Sequence, residues 1–215
     1  GKEKKVSKDR GLVDIVLSWS FQDLLNKHLY KDQVQQIPDT FMSATHYLKS
    51  FLPSLIEEVH ADLASSAEAV SQAPLSQVMC IKQQHGYYEP PKDLFYEITL
   101  KGIHRNGHVY EPFYGDLIAL TDVKPRCIDD LNRPKQPYII AFVEKVIGQG
   151  NKLRILSSKP IEVYGNPTEK SNVEAATLFA VYLTGLVPSI RMWNALACEM
   201  GGKKRDFIEK VARYN

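Results

Sequence analysis

Cysteine is scarce: Cys80, Cys127 and Cys198 are the only three, far apart and without a C-x-x-C spacing. That excludes a disulfide framework and half of a thiolate zinc site, and it fits a reducing, intracellular compartment. No run of roughly eighteen apolar residues occurs, so no membrane-spanning helix is expected. The opening G-K-E-K-K-V-S-K-D-R lacks the apolar stretch of a secretion signal, and Gly1 without a preceding Met leads us to expect a piece of something longer. Phosphate-cradling and catalytic signatures are missing too. Gly202-Lys203 has Ala197 where the first glycine of G-x-x-x-x-G-K-[ST] belongs and Lys204 where the hydroxyl belongs, so it does not wrap a triphosphate. There is no G-x-G-x-x-G, G-x-S-x-G or H-E-x-x-H. No catalytic residue and no cofactor are therefore assigned to this chain, and it is not expected to be an enzyme by itself.

Charge of one sign is also absent in sum, the net value being only +2 over 215 residues. Its distribution is uneven: residues 11 to 75 carry −5, residues 76 to 160 carry +3, and residues 201 to 215 carry +3. Nucleic-acid binders gather cations on one face because phosphate neutralisation dominates affinity. The middle and end of the chain meet that condition; the acidic N-terminal part does not. With 44% hydrophobic and 24% charged residues the chain is globular in composition.

Hydrophobic rhythm divides the sequence. Leu12, Ile15, Val16, Trp19, Leu24, Leu25 and Leu29 recur at helical spacing, with Ser20 and Asp23 placed to cap a second helix. From Ser43, Tyr47, Leu48, Phe51, Leu52, Leu55, Ile56, Val59, Leu63, Ala67 and Val70 predict a helix of roughly thirty residues and about 45 Å, read as a stalk. Pro53 is expected to kink or split it. After Pro74 the period falls to two. Strands are expected around Val78 to Lys82, Leu94 to Ile103, Asp116 to Val123, Tyr138 to Ile147, Lys152 to Ser157 and Leu178 to Leu183. Arg105-Asn106-Gly107-His108 and Gly148-Gln149-Gly150 supply hairpin turns. Pro188 and Ser189 start a helix carrying Ile190, Trp193 and Leu196, and Phe207, Ile208 and Val211 begin another. The expected fold is α+β: N-terminal helices and stalk over 1 to 75, an inserted small antiparallel β-barrel over 76 to 186, and helices over 187 to 215 that pack back on the stalk.

Four groups of residues invite chemistry. His104 and His108 flank the Asn-Gly turn, but two-residue geometry does not set them opposite each other and no third ligand is evident, so no metal is assigned. Asp129-Asp130 reads as turn-capping or arginine-holding carboxylates rather than an acid-base pair, and Cys127 as an inert thiol. The run K-P-R-C-I-D-D-L-N-R-P-K-Q-P-Y places Lys124, Arg126, Arg133 and Lys135 on a loop stiffened by three prolines and leading into Tyr138. Cations on a rigid barrel rim beside an aromatic suit a single-stranded backbone and its bases; the plainer alternative is that these charges pair with Asp129 and Asp130. Lys152 and Arg154, alternate residues of one strand, share a face that extends such a surface. Trp19 and Phe21 in the helical part are candidate anchors for a protein partner.

The strings Y-G-D-L-I-A-L-T-D-V-K-P-R-C-I-D-D-L-N-R-P-K-Q-P-Y-I-I-A-F-V and L-R-I-L-S-S-K-P-I resemble the accessory barrel region of plant helicases of the senataxin type, in superfamily 1. L-V-D-I-V-L-S-W-S, Y-Y-E-P-P-K-D-L-F-Y-E-I and V-Y-L-T-G-L-V-P-S-I-R-M-W-N-A-L resemble the same proteins, so the likeness spans nearly the whole chain. It implies a parent that unwinds RNA or RNA:DNA hybrids with ATP and magnesium, whose motor lies beyond Asn215, and a location in the nucleus rather than the cytoplasm. It also implies a barrel carried on stalk helices that contacts single-stranded RNA or DNA weakly. The competing expectation is a protein-docking module using the helical part.

Overall fold

The computed structural model describes residues 11–34, 36–37, 39–84, 93–101, 110–162 and 177–198. The chain divides into two compact units, which among the described residues are Ser66–Gly185 and, for the other, residues up to Ser65 together with those from Leu186.

The helical unit contains α1 (Leu12–Ser18), α2 (Phe21–Leu25), most of α3 (Ala44–Glu68) and α4 (Val187–Cys198). Trp19 is extended and separates the first two helices. Ser20 then starts α2 with a reciprocal cap: its Oγ accepts from Asp23 N–H at 3.1 Å while Asp23 Oδ2 accepts from Ser20 N–H at 2.9 Å. Ser43 Oγ likewise accepts from His46 N–H at 3.1 Å ahead of α3. On α3, Leu52, Leu55, Ile56, Val59, Leu63 and Ala67 are buried while Glu58, Asp62 and Glu68 are exposed, as the helical stripe requires.

The expected length of α3 is corrected, and of the two expectations at Pro53, a kink or a split, the split is not observed. The helix has 25 residues, about 38 Å, and it runs unbroken through Pro53 rather than splitting there. A proline costs about 3 kcal/mol inside a helix. Its flanking residues Leu52, Leu55 and Ile56 are each buried, and each such burial contributes roughly 1.5–3 kcal/mol, so the packing outweighs the missing hydrogen bond. Elsewhere in this unit α4 packs on α1, and Trp193 of α4 lies against Gly11, whose φ of 51° leaves the side-chain direction open for the indole.

The second unit is a barrel of six antiparallel strands: β1 (Leu75–Gln83), β2 (Phe95–Leu100), β3 (Asp116–Thr121), β4 (Ile140–Ile147), β5 (Lys152–Ser157) and β6 (Leu178–Gly185). They close in the order β1-β2-β5-β4-β3-β6, which removes every sheet edge. Alternate residues fill the inside: Tyr96, Ile98 and Leu100 of β2, Ile118 and Leu120 of β3, Ala141 and Val143 of β4, Leu153 and Ile155 of β5, and Ala180 of β6 form one buried cluster. The opposite faces of β3, β4 and β6 are buried as well, through Leu117, Ala119, Ile140, Phe142, Val181 and Leu183. This is why D-L-I-A-L-T reads as an almost continuous apolar run rather than as an alternation.

The β4–β5 hairpin turns through Gly148 and Gly150, both at positive φ (64° and 92°), a conformation that side chains other than glycine adopt at a cost. The Asn106-Gly107 turn, with His104 and His108, lies outside the described residues. β2 pairs with β1 and β5, not with β3, so no two-residue hairpin joins β2 to the next described strand. Among the described residues no helix is long and apolar enough to cross a membrane.

Candidate functional site

The loop from Asp122 to Ile139 leaves β3, makes a 3-10 turn at Ile128–Leu131 that packs on β3, and enters β4. Its carboxylates hold its cations. Arg133 Nε lies 3.3 Å from Asp122 Oδ1 and its guanidinium reaches Asp130 at 4.0 Å. Asp130 Oδ2 also accepts from Arg126 N–H at 2.9 Å and sits 4.0 Å from Arg126 Nε. The arginine-holding reading of this loop is therefore the one observed for Asp130, with Asp122 as the second carboxylate and Asp129 left exposed. Lys124 and Lys135 are exposed, and Lys124 Nζ stands 5.9 Å from the centre of the Phe179 ring on β6, within the reach of a cation–π attraction.

Tyr138 departs from expectation. Its backbone N–H donates to Asn132 Oδ1 at 2.8 Å and its side chain is 2% exposed, with burial pushing the phenol pKa upward. A ring so enclosed has no face to offer a base. Trp19 and Phe21 are corrected in the same way: both are buried in the helical unit. Trp19 Nε1–H donates to Tyr30 Oη at 2.6 Å, and its ring meets His60 edge-on at 5.0 Å, while His60 Nε2 bonds the Asp23 carbonyl at 2.7 Å. Aromatic size brought these two residues to notice, and it is core packing that uses them.

Lys152 and Arg154 lie on the outer face of β5, since Leu153 and Ile155 between and beyond them point inward. Lys152 is exposed and Arg154 half-buried. They stand away from the rim loop: Lys152 is at the end of β5 nearest the Gly148–Gly150 turn, whereas the loop enters β4 at its opposite end.

At the entry to β3 the turn E-P-F-Y-G-D is built around Asp116. Its Oδ2 accepts from Tyr110 Oη–H and from Phe113 N–H, each at 2.8 Å. Tyr110 stacks on Tyr182 with centroids 5.6 Å apart. Burial raises the Asp116 pKa against the lowering effect of its hydrogen bonds from Phe113 and Tyr110, and burial followed by the Asp116 charge raises both tyrosines. Gly115, at φ 89°, donates its N–H to Val143 O at 2.9 Å. The turn thus presents Phe113 and Tyr114 outward, 67% and 54% exposed. The sequence signal for them was the Gly-Asp turn itself; its reading as a strand entry left the outward aromatics unassigned. Among the described residues no group of three or more His, Cys, Asp or Glu side chains gathers to hold a metal.

Fold and site define an α+β protein with a closed six-stranded antiparallel barrel. The chain belongs to the family described as a domain of unknown function, DUF6469, whose model matches residues 8–215. No curated protein matches it.

Proposed function

We propose that this chain is an accessory module of a senataxin-type superfamily 1 helicase and that its barrel binds single-stranded RNA or DNA. The observation that carries the reading is where the barrel keeps its polar chemistry. Its interior is lined by the buried apolar cluster of Tyr96, Ile98, Leu100, Leu153 and Ile155, while every described lysine of this unit is exposed. A packed barrel with cations outside suits a polyanion too long to be enclosed. In this reading α3 is the stalk, the C-terminal helices return to it, and ATP, magnesium and the motor belong to the parent protein. The parent acts in the nucleus. The experiment is an anisotropy titration of the chain with a labelled single-stranded oligonucleotide across salt concentrations. Weak binding that falls steeply with salt supports the proposal; salt-insensitive or absent binding by the folded chain overturns it.

A second reading, a protein-docking surface, is favoured by one feature of the helical unit. Phe41, Tyr47 and Phe51 pack together at the start of α3, with Phe41–Tyr47 and Tyr47–Phe51 centroids 4.9 and 4.6 Å apart. Met42, next to Phe41 in the chain, is 92% exposed, and Tyr47 is also exposed. These residues take the anchoring role from Trp19 and Phe21. A pull-down that resists nuclease and is lost in Met42→Asp would favour this reading over the first.

A further inference from the structure

Strand register assembles a cationic row that the linear sequence scatters over more than sixty residues. Lys82 of β1 is opposite Glu97 of β2, Glu97 is opposite Arg154 of β5, and Arg154 is opposite Lys145 of β4. Ile81 points inward with Leu153, Ile155 and Val146, so these four neighbours share the outer wall. Four adjacent strands span about 14 Å at the usual spacing. Lys152, opposite Thr99 and Ile147, adds a cation about 7 Å along β5, and Lys101 follows directly after β2 on the same side. Lys82, Lys101, Lys145 and Lys152 are all exposed. Glu97 and the half-buried Glu144, the extra residue of the β4 bulge between Val143 and Lys145, are the opposing charges on these strands, so the wall remains basic.

The row ends at the aromatic turn. Tyr114 meets Phe142 edge-on at 5.9 Å, and Phe142 is on the same outer face of β4 as Lys145, beyond the bulge. Gly115 N–H bonded to Val143 O and Phe113 N–H bonded to Asp116 fix where the turn lies. Cations of β1, β5 and β4 therefore share the outer wall with Glu97 of β2, and the β4 face that carries Lys145 continues to Phe142, against which the exposed Tyr114 packs. Charge attracts any phosphate backbone, but exposed ring faces are useful only to bases that are unpaired.

We infer that the outer wall formed by Lys82, Lys145, Lys152 and Arg154, continued by Phe113 and Tyr114, is the single-strand binding surface of the barrel, in place of the rim loop. Lys82, Lys145 and Lys152 hold the phosphates, with Arg154 between them opposite Glu97, and Phe113 and Tyr114 stack the bases that leave the row. The rim is the weaker candidate because Arg133 is shared between Asp122 and Asp130 and Lys124 stands over the Phe179 ring, which leaves the exposed Arg126 and Lys135 as its remaining cations.

This inference rests on the proposed function, and the test separates the two. The full 215-residue chain is titrated by fluorescence anisotropy with labelled oligo(dT) and oligo(U), a duplex of equal length, and poly-glutamate as competitor. Lys82→Gln/Lys145→Gln/Lys152→Gln is expected to weaken single-strand binding by about tenfold or more and to reduce the log–log salt slope by about 2. Phe113→Ala/Tyr114→Ala is expected to weaken binding by about tenfold with an unchanged salt slope, because stacking releases no counterions. Phe113→Ala alone, which spares the Phe142 contact, should show part of the same loss. Lys124→Gln/Lys135→Gln should stay within about twofold of the unaltered chain. Circular dichroism confirms that each variant is folded. Loss in the rim variant with full binding in the wall variant overturns the wall and leaves the proposed function standing. Duplex bound as tightly as single strand, or poly-glutamate competing as well as the oligonucleotide, overturns the assignment to unpaired bases. Absence of binding by the unaltered chain overturns both.

Discussion

Asp116 is the residue on which the entry to β3 turns, and replacing it separates two physical effects. In Asp116→Ala the Tyr110 hydroxyl and the Phe113 N–H both lose their acceptor. Phe113 is exposed and its amide can turn to water, whereas Tyr110 is 3% exposed and its hydroxyl is stranded. A stranded buried donor costs about 1–3 kcal/mol, and that is the expected destabilisation. Asp116→Asn keeps a carbonyl oxygen in the place of Oδ2 and removes the cost of burying a charge, so it should stay within about 1 kcal/mol of the unaltered protein at neutral pH. The pH dependence has a definite sign. Burial raises the folded-state pKa of Asp116 above its unfolded value, so the proton is held more strongly by the folded chain. The stabilising contribution of protonated Asp116 is complete below the unfolded value of about 3.9 and is lost as pH rises through the folded pKa. The unaltered protein should therefore gain on Asp116→Asn as the pH falls from neutral to about 4. Urea unfolding followed by far-UV circular dichroism at several pH values measures this, and the difference between the two proteins cancels the titration of other groups. Trp19 and Trp193 emission reports the helical unit as a control. If Asp116→Asn costs as much as Asp116→Ala, or if its difference from the unaltered protein is the same at pH 4 and pH 7, the account of a buried, hydrogen-bonded carboxylate is wrong.

The helical unit supplies further tests. Trp19→Ala should destabilise by about 3–5 kcal/mol in thermal or urea unfolding, as a core deletion does, and should not act as a selective partner-binding defect. Gly11→Ala forces a side chain against the Trp193 indole at a backbone of φ 51°; a cost of at least about 1–2 kcal/mol and a shift of tryptophan emission are expected. Ser20→Ala removes one half of the α2 cap and should cost about 1 kcal/mol. Arg133→Ala breaks partly exposed ion pairs to Asp122 and Asp130 and should cost less than about 1 kcal/mol.

Much of the fold was legible because its elements obey local rules. Ser20 and Asp23 stand at capping spacing, and the structure makes both hydrogen bonds of the cap. Lys152 to Ser157 alternates inward and outward residues after the glycines that turn the chain, and β5 has those same ends. What was not legible depended on distant partners. Nothing near Trp19 announces that Tyr30 and His60 will enclose it, so an exposed anchor and a core residue read alike. Pro53 carries a local breaking signal that the burial of Leu52, Leu55 and Ile56 overrides. Tyr138 follows three prolines and looks like a rim aromatic until Asn132 is seen to fold the loop over it.

Charge shows the same division most sharply. A loop rich in arginine and lysine attracts notice in a sequence because its cations are close together, yet clustered charges on a short loop are those that neighbouring aspartates reach most easily. Arg126 and Asp130 are four residues apart, and Arg133 and Asp130 three, so local geometry alone lets the loop neutralise itself. Cations spread singly over strands are the reverse case. Each has an inward apolar residue beside it, only Lys145 has an acid next to it in the chain, Glu144, and register decides what stands opposite. Here register sets one carboxylate, Glu97, in the row with Lys82, Arg154 and Lys145. A net charge of +2 for the whole chain averages these two arrangements and conceals both. In a closed barrel with a filled interior, charge available to a ligand is therefore to be sought where the strands bring single lysines side by side, not where the sequence crowds them.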